Sequence, residues 1–332
     1  MYSKTIDDRS LRRFVRGATL LLSATFLAAG WQFKEGDDAV ADSGWLSEDV
    51  VPVLLADIER ELASASLPLH ENERVEFWTR RFASEEKKAF EGLLSRAGLY
   101  SDMITAKLRE RGMPEEFLYL AMIESGFVPN ARSHVSALGV WQFMSPTALA
   151  YGLRIDSYVD ERRDPVRATD AALDYLEELH ERYGSWYLAA AAYNAGPTRV
   201  SRALNRHAGG RVGDESLYWD IVDHLPPETA QYVPKLVAAT YLARSAARHG
   251  FEVNRAEPYA YDIVWTPGGT LLSTVGASVG VSTARMHELN PQLIRNVTPP
   301  GPAYPLRVPV GTGPQLVASL GMPDRRVYRA DD

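Results

Sequence analysis

Apolar residues recur at helical spacing along most of the chain, from Glu48 to about Gly250. Because no sustained alternation of apolar and polar residues interrupts this repeat, it predicts a mainly α body. One example of the repeat is Val51, Leu54, Leu55, Ile58 and Leu62.

Proline and glycine mark where these helices are expected to begin and end. Pro114 indicates one helix start, Asp164-Pro165 supplies an N-cap with a first-turn proline, and Pro226-Pro227 opens a long helix towards Gly250. Short glycine-bearing connections separate the helices, and such turns are where a cleft could be built. These glycines are Gly126, Gly139, Gly152, Gly184 and Gly196.

After Arg255 the pattern changes to short strands and helices. Tyr261–Val264 is predicted to be a strand, two helices follow, and Leu306–Val310 is a second strand, which gives a βααβ order. The pattern therefore divides residues 48–254, a helical domain with a core at about 110–240, from a module at 255–310 and a tail at 311–332. Since the module has its own turns and apolar set, we expect it to fold independently.

The first 30 residues are typical of an export signal. A basic segment precedes an uncharged apolar run, Gly17–Gly30, which is shorter than the roughly 20 residues that cross a bilayer. A cleaved signal peptide is favoured, with an uncleaved signal anchor or a buried helix as alternatives. Residues 31–47 are predicted to form a flexible linker. Export would place the protein in the periplasm or cell envelope.

The amino-acid composition argues against several kinds of partner, catalytic group and cofactor. The chain has 332 residues, 45% hydrophobic and 24% charged, with a formal net charge of −7, which argues against a nucleic-acid partner. It has no cysteine, so disulfides, a catalytic thiol and an acylated lipobox cysteine are excluded. The seven histidines form neither an HExxH motif nor a close cluster, and we expect no metal and no other cofactor.

Glu124 breaks the helical pattern. It falls on the apolar stripe of Phe117, Leu120 and Ala121, in the last turn before Gly126. Burial and the negative end of the helix dipole would both raise its carboxyl pKa, as a general acid requires. A capped or solvated glutamate at a helix end explains the same position and stays open.

Polar motifs at helix ends and loops accompany Glu124. Their amides and hydroxyls suit the N-acetyl and hydroxyl groups of a sugar, and Trp141, Phe143, Tyr193 and Tyr232 would offer apolar faces to its rings. Taken singly, each aromatic residue is more often part of a core. The motifs are Glu124–Phe127, Ser133, Gly139–Met144, Ala191–Gly196 and Glu228–Val233.

This ordered set resembles the bacterial lytic transglycosylases, in particular their D-type membrane-bound group, from about Leu69 to Phe251. The resemblance implies a lysozyme-like all-α domain that needs no cofactor and has peptidoglycan strands as its partner. It also implies cleavage of the β-1,4 bond between N-acetylmuramic acid and N-acetylglucosamine, leaving 1,6-anhydro ends. Residues 139–142 read Gly-Val-Trp-Gln where many members have Gly-Leu-Met-Gln, and the lipobox cysteine of many D-type members is missing.

By position, the resemblance makes Glu124 the catalytic residue. The substrate-binding residues that it implies are Ser125, Ser133, Gln142, Met144, Tyr193, Asn194 and Tyr232.

Glycosidases usually need two carboxyl groups, and no second one is evident here. The acidic run Asp156, Asp160, Glu161 and Asp164 is interspersed with arginines and is expected to be a solvated, salt-bridged loop. If the sugar's own C6 hydroxyl is the nucleophile, Glu124 can act first as acid and then as base. A hydrolytic muramidase like the goose-type lysozymes and a non-catalytic cell-wall glycan-binding protein remain alternatives.

The C-terminal module resembles LysM modules, which bind N-acetylglucosamine-containing glycans. Residues 268–271 read Gly-Gly-Thr-Leu in place of the usual Gly-Asp-Thr-Leu, so glycan binding and a packing role both stay open. If the module binds polymer, its removal should weaken attachment to sacculi and spare the cleavage of short glycans.

Overall fold

The computed structural model describes residues 66–321 and, for the backbone alone, residues 327–329. The predicted signal, linker and first part of the helical domain, including the apolar repeat at 51–62, lie outside the described residues. The described part from Ser66 onward belongs to one compact unit.

Helices build the described body up to residue 250, which confirms the mainly α fold class. Single turns of 3-10 helix occur at Glu115–Phe117, Glu161–Arg163, Val222–His224 and Ala246–His249. The α-helices are α1 (Glu73–Ala83), α2 (Lys87–Ala97), α3 (Ser101–Glu110), α4 (Leu118–Ser125), α5 (Ser145–Ala150), α6 (Pro165–Tyr183), α7 (Trp186–Ala195), α8 (Pro197–His207), α9 (Ser216–Ile221) and α10 (Pro227–Arg244).

The helix starts follow the sequence signals. The Asp164 carboxylate accepts hydrogen bonds from the backbone N–H groups of Val166 and Arg167 at 2.9 and 3.2 Å, and Pro165 occupies the first turn of α6. This cap satisfies N–H groups that have no partner within the helix. Pro227 likewise opens α10, as predicted.

Helix α7 lies at the centre of the helical core. Its residues Ala189–Ala192 are completely buried, and it packs against α6, α8 and α10. Alanine side chains allow the surrounding helices to approach closely, which fixes the end of α7 that carries Tyr193 and Asn194.

The C-terminal module combines a small antiparallel sheet with three short helices. Its strand order is β2-β1-β3, with Val264 opposite Leu306 on one side and Val327 on the other. The elements are β1 (Asp262–Thr266), α11 (Leu272–Val279), α12 (Thr283–Leu289), β2 (Tyr304–Val308), α13 (Gly313–Ser319) and β3 (Val327–Arg329).

Several boundaries of this module differ from the sequence prediction. Strand β1 covers Asp262–Thr266 instead of Tyr261–Val264. Strand β2 covers Tyr304–Val308 instead of Leu306–Val310. The predicted tail contains α13, whose Leu316 and Val317 are buried in the module core, so a boundary at residue 310 is too early. These two apolar residues complete a core that the βααβ elements alone would leave open.

The module also packs tightly on the helical body. Val159 of the body is completely buried among the module's apolar residues and forms an antiparallel bridge with Leu293. The Arg307 guanidinium donates to the Asp164 carboxylate at 2.9 Å, with side chains only 10% and 4% exposed. Asp160 is buried as well. The acidic run is therefore salt-bridged but not solvated throughout. The module packs against the helical body through Val159 and the Arg307–Asp164 pair, and its independent folding stays a prediction.

Candidate active site

Glu124 occupies the last turn of α4, with Leu120 and Ala121 completely buried on the preceding turn. Gly126 ends the helix in the left-handed region at φ 62°, where a Cβ would also lie 2.7 Å from the Leu93 side chain. Only glycine meets both conditions without strain. The Arg96 guanidinium donates to the Gly126 carbonyl at 2.8 Å and holds this turn in place.

The Glu124 side chain is half-buried, and its carboxyl group is enclosed by protein. Burial raises the pKa of Glu124 to about 7, although the hydrogen bond from the Tyr232 hydroxyl and the charge of Lys235 act in the opposite direction. The nearby charge of Glu228 adds to the rise. Desolvation outweighs the hydrogen bond, so the group is poised between acid and base near neutral pH.

Two tyrosines lie beside this carboxyl group. The Tyr232 hydroxyl donates to Glu124 Oε1, and the Tyr193 hydroxyl donates to the Trp141 carbonyl at 2.8 Å. Burial, and after it the charge of Glu124, raises the pKa of both tyrosines far above the usual value. Both phenols therefore stay protonated and can only donate or share a proton in hydrogen bonds.

Asn194 joins α7 to α10 beside the tyrosines. Its Oδ1 accepts from the Thr229 hydroxyl at 2.7 Å, and its Nδ2 donates to Glu228 Oε1 at 3.2 Å. Glu228 is exposed, in contrast to Glu124. Glu228 lies in the Glu228–Val233 motif, four residues before Tyr232 and on the same face of α10, and this spacing is the sequence signal for a residue of the site.

The loop from Gly126 to Met144 forms another side of the site. Gln142 has a left-handed backbone, φ 50°, and its amide donates to the carbonyls of Gly139 and Ala131 at 2.8 and 3.0 Å. The Ser125 hydroxyl donates to the Val140 carbonyl at 2.8 Å. A left-handed conformation at a residue other than glycine costs energy, and these bonds stabilise it.

The structure thus brings Glu124, Tyr193, Asn194 and Tyr232 together, with Ser125 and Gln142 fastened to the adjoining loop. Ser133 serves its own loop, since its hydroxyl accepts from the Ala137 N–H at 3.0 Å. Met144 is 42% exposed at the start of α5. Among the described contacts, neither has a hydrogen bond to Glu124 or to either tyrosine.

Trp141 and Phe143 are not sugar platforms. Trp141 is completely buried, with its indole N–H donating to the Thr169 hydroxyl at 2.9 Å, and Phe143 is 3% exposed. Trp141 contributes to the site through its backbone instead of its ring, because its carbonyl accepts the hydrogen bond from the Tyr193 hydroxyl.

In the described part of the chain, no group of three or more histidine or carboxylate side chains could hold a metal ion. The same residues contain no helix with the length and apolar character that spanning a membrane requires.

The described helical body thus surrounds one protonatable glutamate, Glu124, whose carboxyl group is enclosed by protein. Residues 102–211 match the family model described as "Transglycosylase SLT domain".

Several characterised proteins are similar to this chain. Membrane-bound lytic murein transglycosylase D of Escherichia coli is 32% identical over 223 residues, 66% of this chain and 48% of that protein. Soluble lytic murein transglycosylase of Salmonella typhimurium is 30% identical over 147 residues, 42% of this chain and 22% of that protein. The chain thus spans about half the length of the first of these relatives.

Among solved structures, the 70-kDa soluble lytic transglycosylase of Escherichia coli is 26% identical, with a TM-score of 0.36 over 45% of this chain and 24% of that one.

Proposed function

We propose that this chain is a lytic transglycosylase of peptidoglycan. It cleaves the β-1,4 bond between N-acetylmuramic acid and N-acetylglucosamine and leaves a 1,6-anhydro-N-acetylmuramic acid end. The observation that carries the proposal is Glu124, whose pKa of about 7 and hydrogen bond from Tyr232 fit one group acting in turn as acid and base. The domain match over residues 102–211 supports the same reaction.

In the first step, protonated Glu124 gives its proton to the glycosidic oxygen as the bond to the sugar's anomeric carbon breaks. In the second step, the resulting carboxylate takes the proton of the C6 hydroxyl as that oxygen bonds to the anomeric carbon. Glu124 is then protonated again, and no water is consumed. Intramolecular attack benefits from proximity, because the nucleophile is already held on the sugar that reacts.

The flanking groups stabilise and position the reacting atoms. Tyr232 donates to the carboxylate of Glu124 that forms after proton transfer. Asn194, Gln142 and Tyr193 offer amides and a hydroxyl at the site, and Ser125, Ser133 and Met144 belong to the elements that border it. We expect these side chains to contact the N-acetyl and hydroxyl groups of the glycan.

Hydrolysis is the second candidate, because the structure does supply another carboxylate. Glu228 lies close enough to raise the pKa of Glu124 and is exposed, as a base that activates water would be. A muramidase reaction would use Glu124 as the acid and Glu228 to orient the water. The fixed bond from Asn194 to Glu228 favours a positioning role for this carboxylate instead.

Mass spectrometry of digested sacculi tests the proposal. A lytic transglycosylase releases anhydro products one water lighter than the hydrolytic products of a muramidase, and a non-catalytic glycan-binding protein releases none. Glu228→Gln is the matched variant: it should leave the product anhydro. Loss of all activity in this variant, together with hydrolytic products from the wild type, would favour the muramidase.

The site of action follows from the substrate. We infer that the chain acts at the peptidoglycan of the cell envelope, with glycan strands as its partner. The basic and apolar pattern of residues 1–30 supports export. Fractionation of cells that express the chain, followed by N-terminal sequencing, tests export and cleavage together.

A further inference from the structure

Arg162 lies between the C-terminal module and the loop of residues 126–144, called here the active-site loop. Its guanidinium makes a two-pronged bond to the Asp160 carboxylate, Nε to Oδ1 at 2.9 Å and Nη2 to Oδ2 at 2.7 Å. Its remaining nitrogen, Nη1, donates to the carbonyls of Ser136 and Phe143, both at 3.3 Å. The Arg162 and Asp160 side chains are only 8% and 11% exposed, so this is a buried and fully bonded pair.

The two carbonyls belong to opposite sides of the active-site loop. Within that loop, Leu138 and Phe143 exchange backbone hydrogen bonds at 3.1 Å each, and the Gly139 N–H donates to the Ala131 carbonyl at 3.0 Å. Gly139 also packs directly on the Arg162 backbone, since a Cβ there would lie 1.7 Å from the Arg162 carbonyl oxygen. Arg162 therefore fixes the loop through its side chain and through its main chain.

The same loop fastens the groups around Glu124. The Val140 carbonyl accepts from Ser125, the residue after Glu124, and the Trp141 carbonyl accepts from Tyr193. The strained Gln142 is held by the Gly139 carbonyl. A shift of the loop would move all three contacts at once.

The module binds the segment that carries Asp160, the partner of Arg162. The Asp160 N–H donates to the Gln292 carbonyl at 2.9 Å, and the Ile294 N–H donates to the Tyr158 carbonyl at 3.0 Å. Val159, between them, is completely buried in the module core. The segment that presents Asp160 is thus bound to residues 292–294 of the module by one antiparallel bridge.

A second buried pair reinforces this attachment. Arg307 of β2 donates to Asp164, the N-cap of α6, and its backbone exchanges bonds with the Asn290 side chain at 2.9 and 2.7 Å. The Asp164 partner keeps the pKa of Arg307 well above the usual value despite burial. Arg307 therefore keeps its positive charge in this attachment.

We propose that Arg162 is a positioning residue for the active site, and that the C-terminal module acts through it by holding the loop that carries Gln142. The module is then part of the catalytic apparatus, in addition to any contact it makes with polymer. The activity measurements that test this inference rest on the proposed function. The hydrogen-exchange measurement of the loop does not depend on it.

The test compares Arg162→Met with Arg154→Met. Methionine keeps much of the stem of Arg162 and removes every bond of the guanidinium. Arg154 is the matched control because it lies on the same segment and its pair with Asp156 is largely exposed, with no bond to the loop. Since Arg162→Met leaves a buried carboxylate without its partner, the double variant with Asp160→Asn guards against a simple failure to fold.

The structural measurement is hydrogen exchange of the amides in residues 131–144. We expect exchange about tenfold faster or more in the double variant, because the bonds between Leu138 and Phe143 would open more often. Arg154→Met should exchange like the wild type. A folded double variant with unchanged exchange in this loop would overturn the proposal.

The activity measurements separate positioning from stability. At a temperature far below unfolding, kcat/KM of the double variant should fall by about a hundredfold, as expected for a displacement of about 1 Å. The upper pH midpoint should move below the value near 7, since a looser loop admits water to Glu124. Arg162→Lys, which keeps the charge but not the fork, should recover part of this loss. A lower melting temperature with wild-type kcat/KM and pH midpoint would show a structural role only.

The role of the module is tested by Arg307→Met combined with Asp164→Asn. We expect the same loop amides to exchange faster and the pH midpoint to move in the same direction, by less than in the Arg162 variant. Unchanged loop exchange would confine the positioning role to Arg162 and contradict the part assigned to the module. If the wild type releases no anhydro product, the proposed function fails, and the exchange data still decide whether Arg162 holds the loop.

Discussion

At the scale of single residues, the chemistry depends on a balance at Glu124. Burial raises its pKa, and the Tyr232 hydroxyl opposes the rise by stabilising the carboxylate. The burial contribution wins, and the resulting pKa near 7 lets one side chain hold a proton and release it at nearly equal cost. Tyr232 limits this rise, and in the proposed reaction it would keep Glu124 able to act as a base in the second step.

The raised pKa predicts a pH-dependent stability that Glu124→Gln should remove. The folded state binds the Glu124 proton more tightly than the unfolded state, so this group favours folding at low pH and loses that contribution as the pH rises from about 4.5 to 7. Above pH 7 the variant should be more stable than the wild type by up to about 3 kcal/mol. Denaturant unfolding at pH 4 and pH 8 measures the difference; an equal difference at both values would mean that the pKa is not raised.

Tyr232→Phe should shift the activity profile towards alkaline pH. The variant loses a hydrogen bond to the charged form of Glu124, so its pKa rises further. We expect the upper midpoint of kcat/KM against pH to increase. Tyr241→Phe is the control on the same helix, since Tyr241 is 44% exposed and its ring packs edge-on against His249. A midpoint that moves down would show that Tyr232 serves another purpose.

At the scale of elements, the end of α7 is held to the start of α10. The alanines at 189–192 set the closeness of the packing, and Asn194 supplies the polar connection through Thr229 and Glu228. The N-terminus of α7 is fixed as well, because the Glu215 carboxylate accepts from the backbone N–H groups of Trp186 and Tyr187 at 2.7 and 2.8 Å. Tyr193 thus stands on a helix that is fastened at both ends.

Asn194→Ala should lower turnover much more than stability. The hydrogen bonds of the Asn194 side-chain amide lie at the edge of the core, so their loss is expected to lower the free energy of unfolding by about 1 kcal/mol. Turnover should fall by about tenfold or more because Glu228 and Thr229 lose their fixed positions. Asn205→Ala, at an exposed position of α8, is the control. Parallel losses of melting temperature and turnover would instead make Asn194 an ordinary structural residue.

Local sequence signals predicted the elements better than the contacts between them. The start of α6 at Asp164-Pro165 and the apolar stripe that exposes Glu124 as unusual are encoded within one or two helical turns. The inward direction of the Trp141 side chain and of the Ser125 hydroxyl is not encoded so locally, because both groups bond to partners in other elements. Side-chain direction is decided by packing, which helical periodicity does not determine in a loop.

At the scale of the whole molecule, the C-terminal module and the helical body form one packed structure. Arg307 and Asp164 lie 143 positions apart, and each would be a buried charge without the other. The change in hydrophobic pattern near Asn254 indicates a new set of elements. It carries no information on contacts between residues so far apart in the sequence. For this reason the sequence predicted a separable module, whereas the structure shows the module packed on the body through Val159 and the Arg307–Asp164 pair.

Deletion of residues 255–332 should therefore destabilise the chain. It would expose Val159 and leave Asp164 without Arg307, so we expect a lower melting temperature and reduced cleavage of short soluble glycans as well as of sacculi. Melting temperature and both activities should be measured on the same preparation. A stable truncated protein with normal cleavage of short glycans and weaker sacculus binding would restore the picture of an independent targeting module.

The role of Glu124 as acid and base is tested most sharply by the anhydro-product yield of Glu124→Gln from intact sacculi, measured beside the wild type and beside Asp156→Asn. Glutamine keeps the shape of the side chain and cannot transfer the proton, so we expect sacculus binding without anhydro product. Asp156→Asn should behave like the wild type, since Asp156 is exposed and paired with Arg154. Anhydro product from a folded Glu124→Gln variant within about tenfold of the wild-type yield, far above what loss of an essential acid allows, would contradict the role of Glu124 as the proton donor.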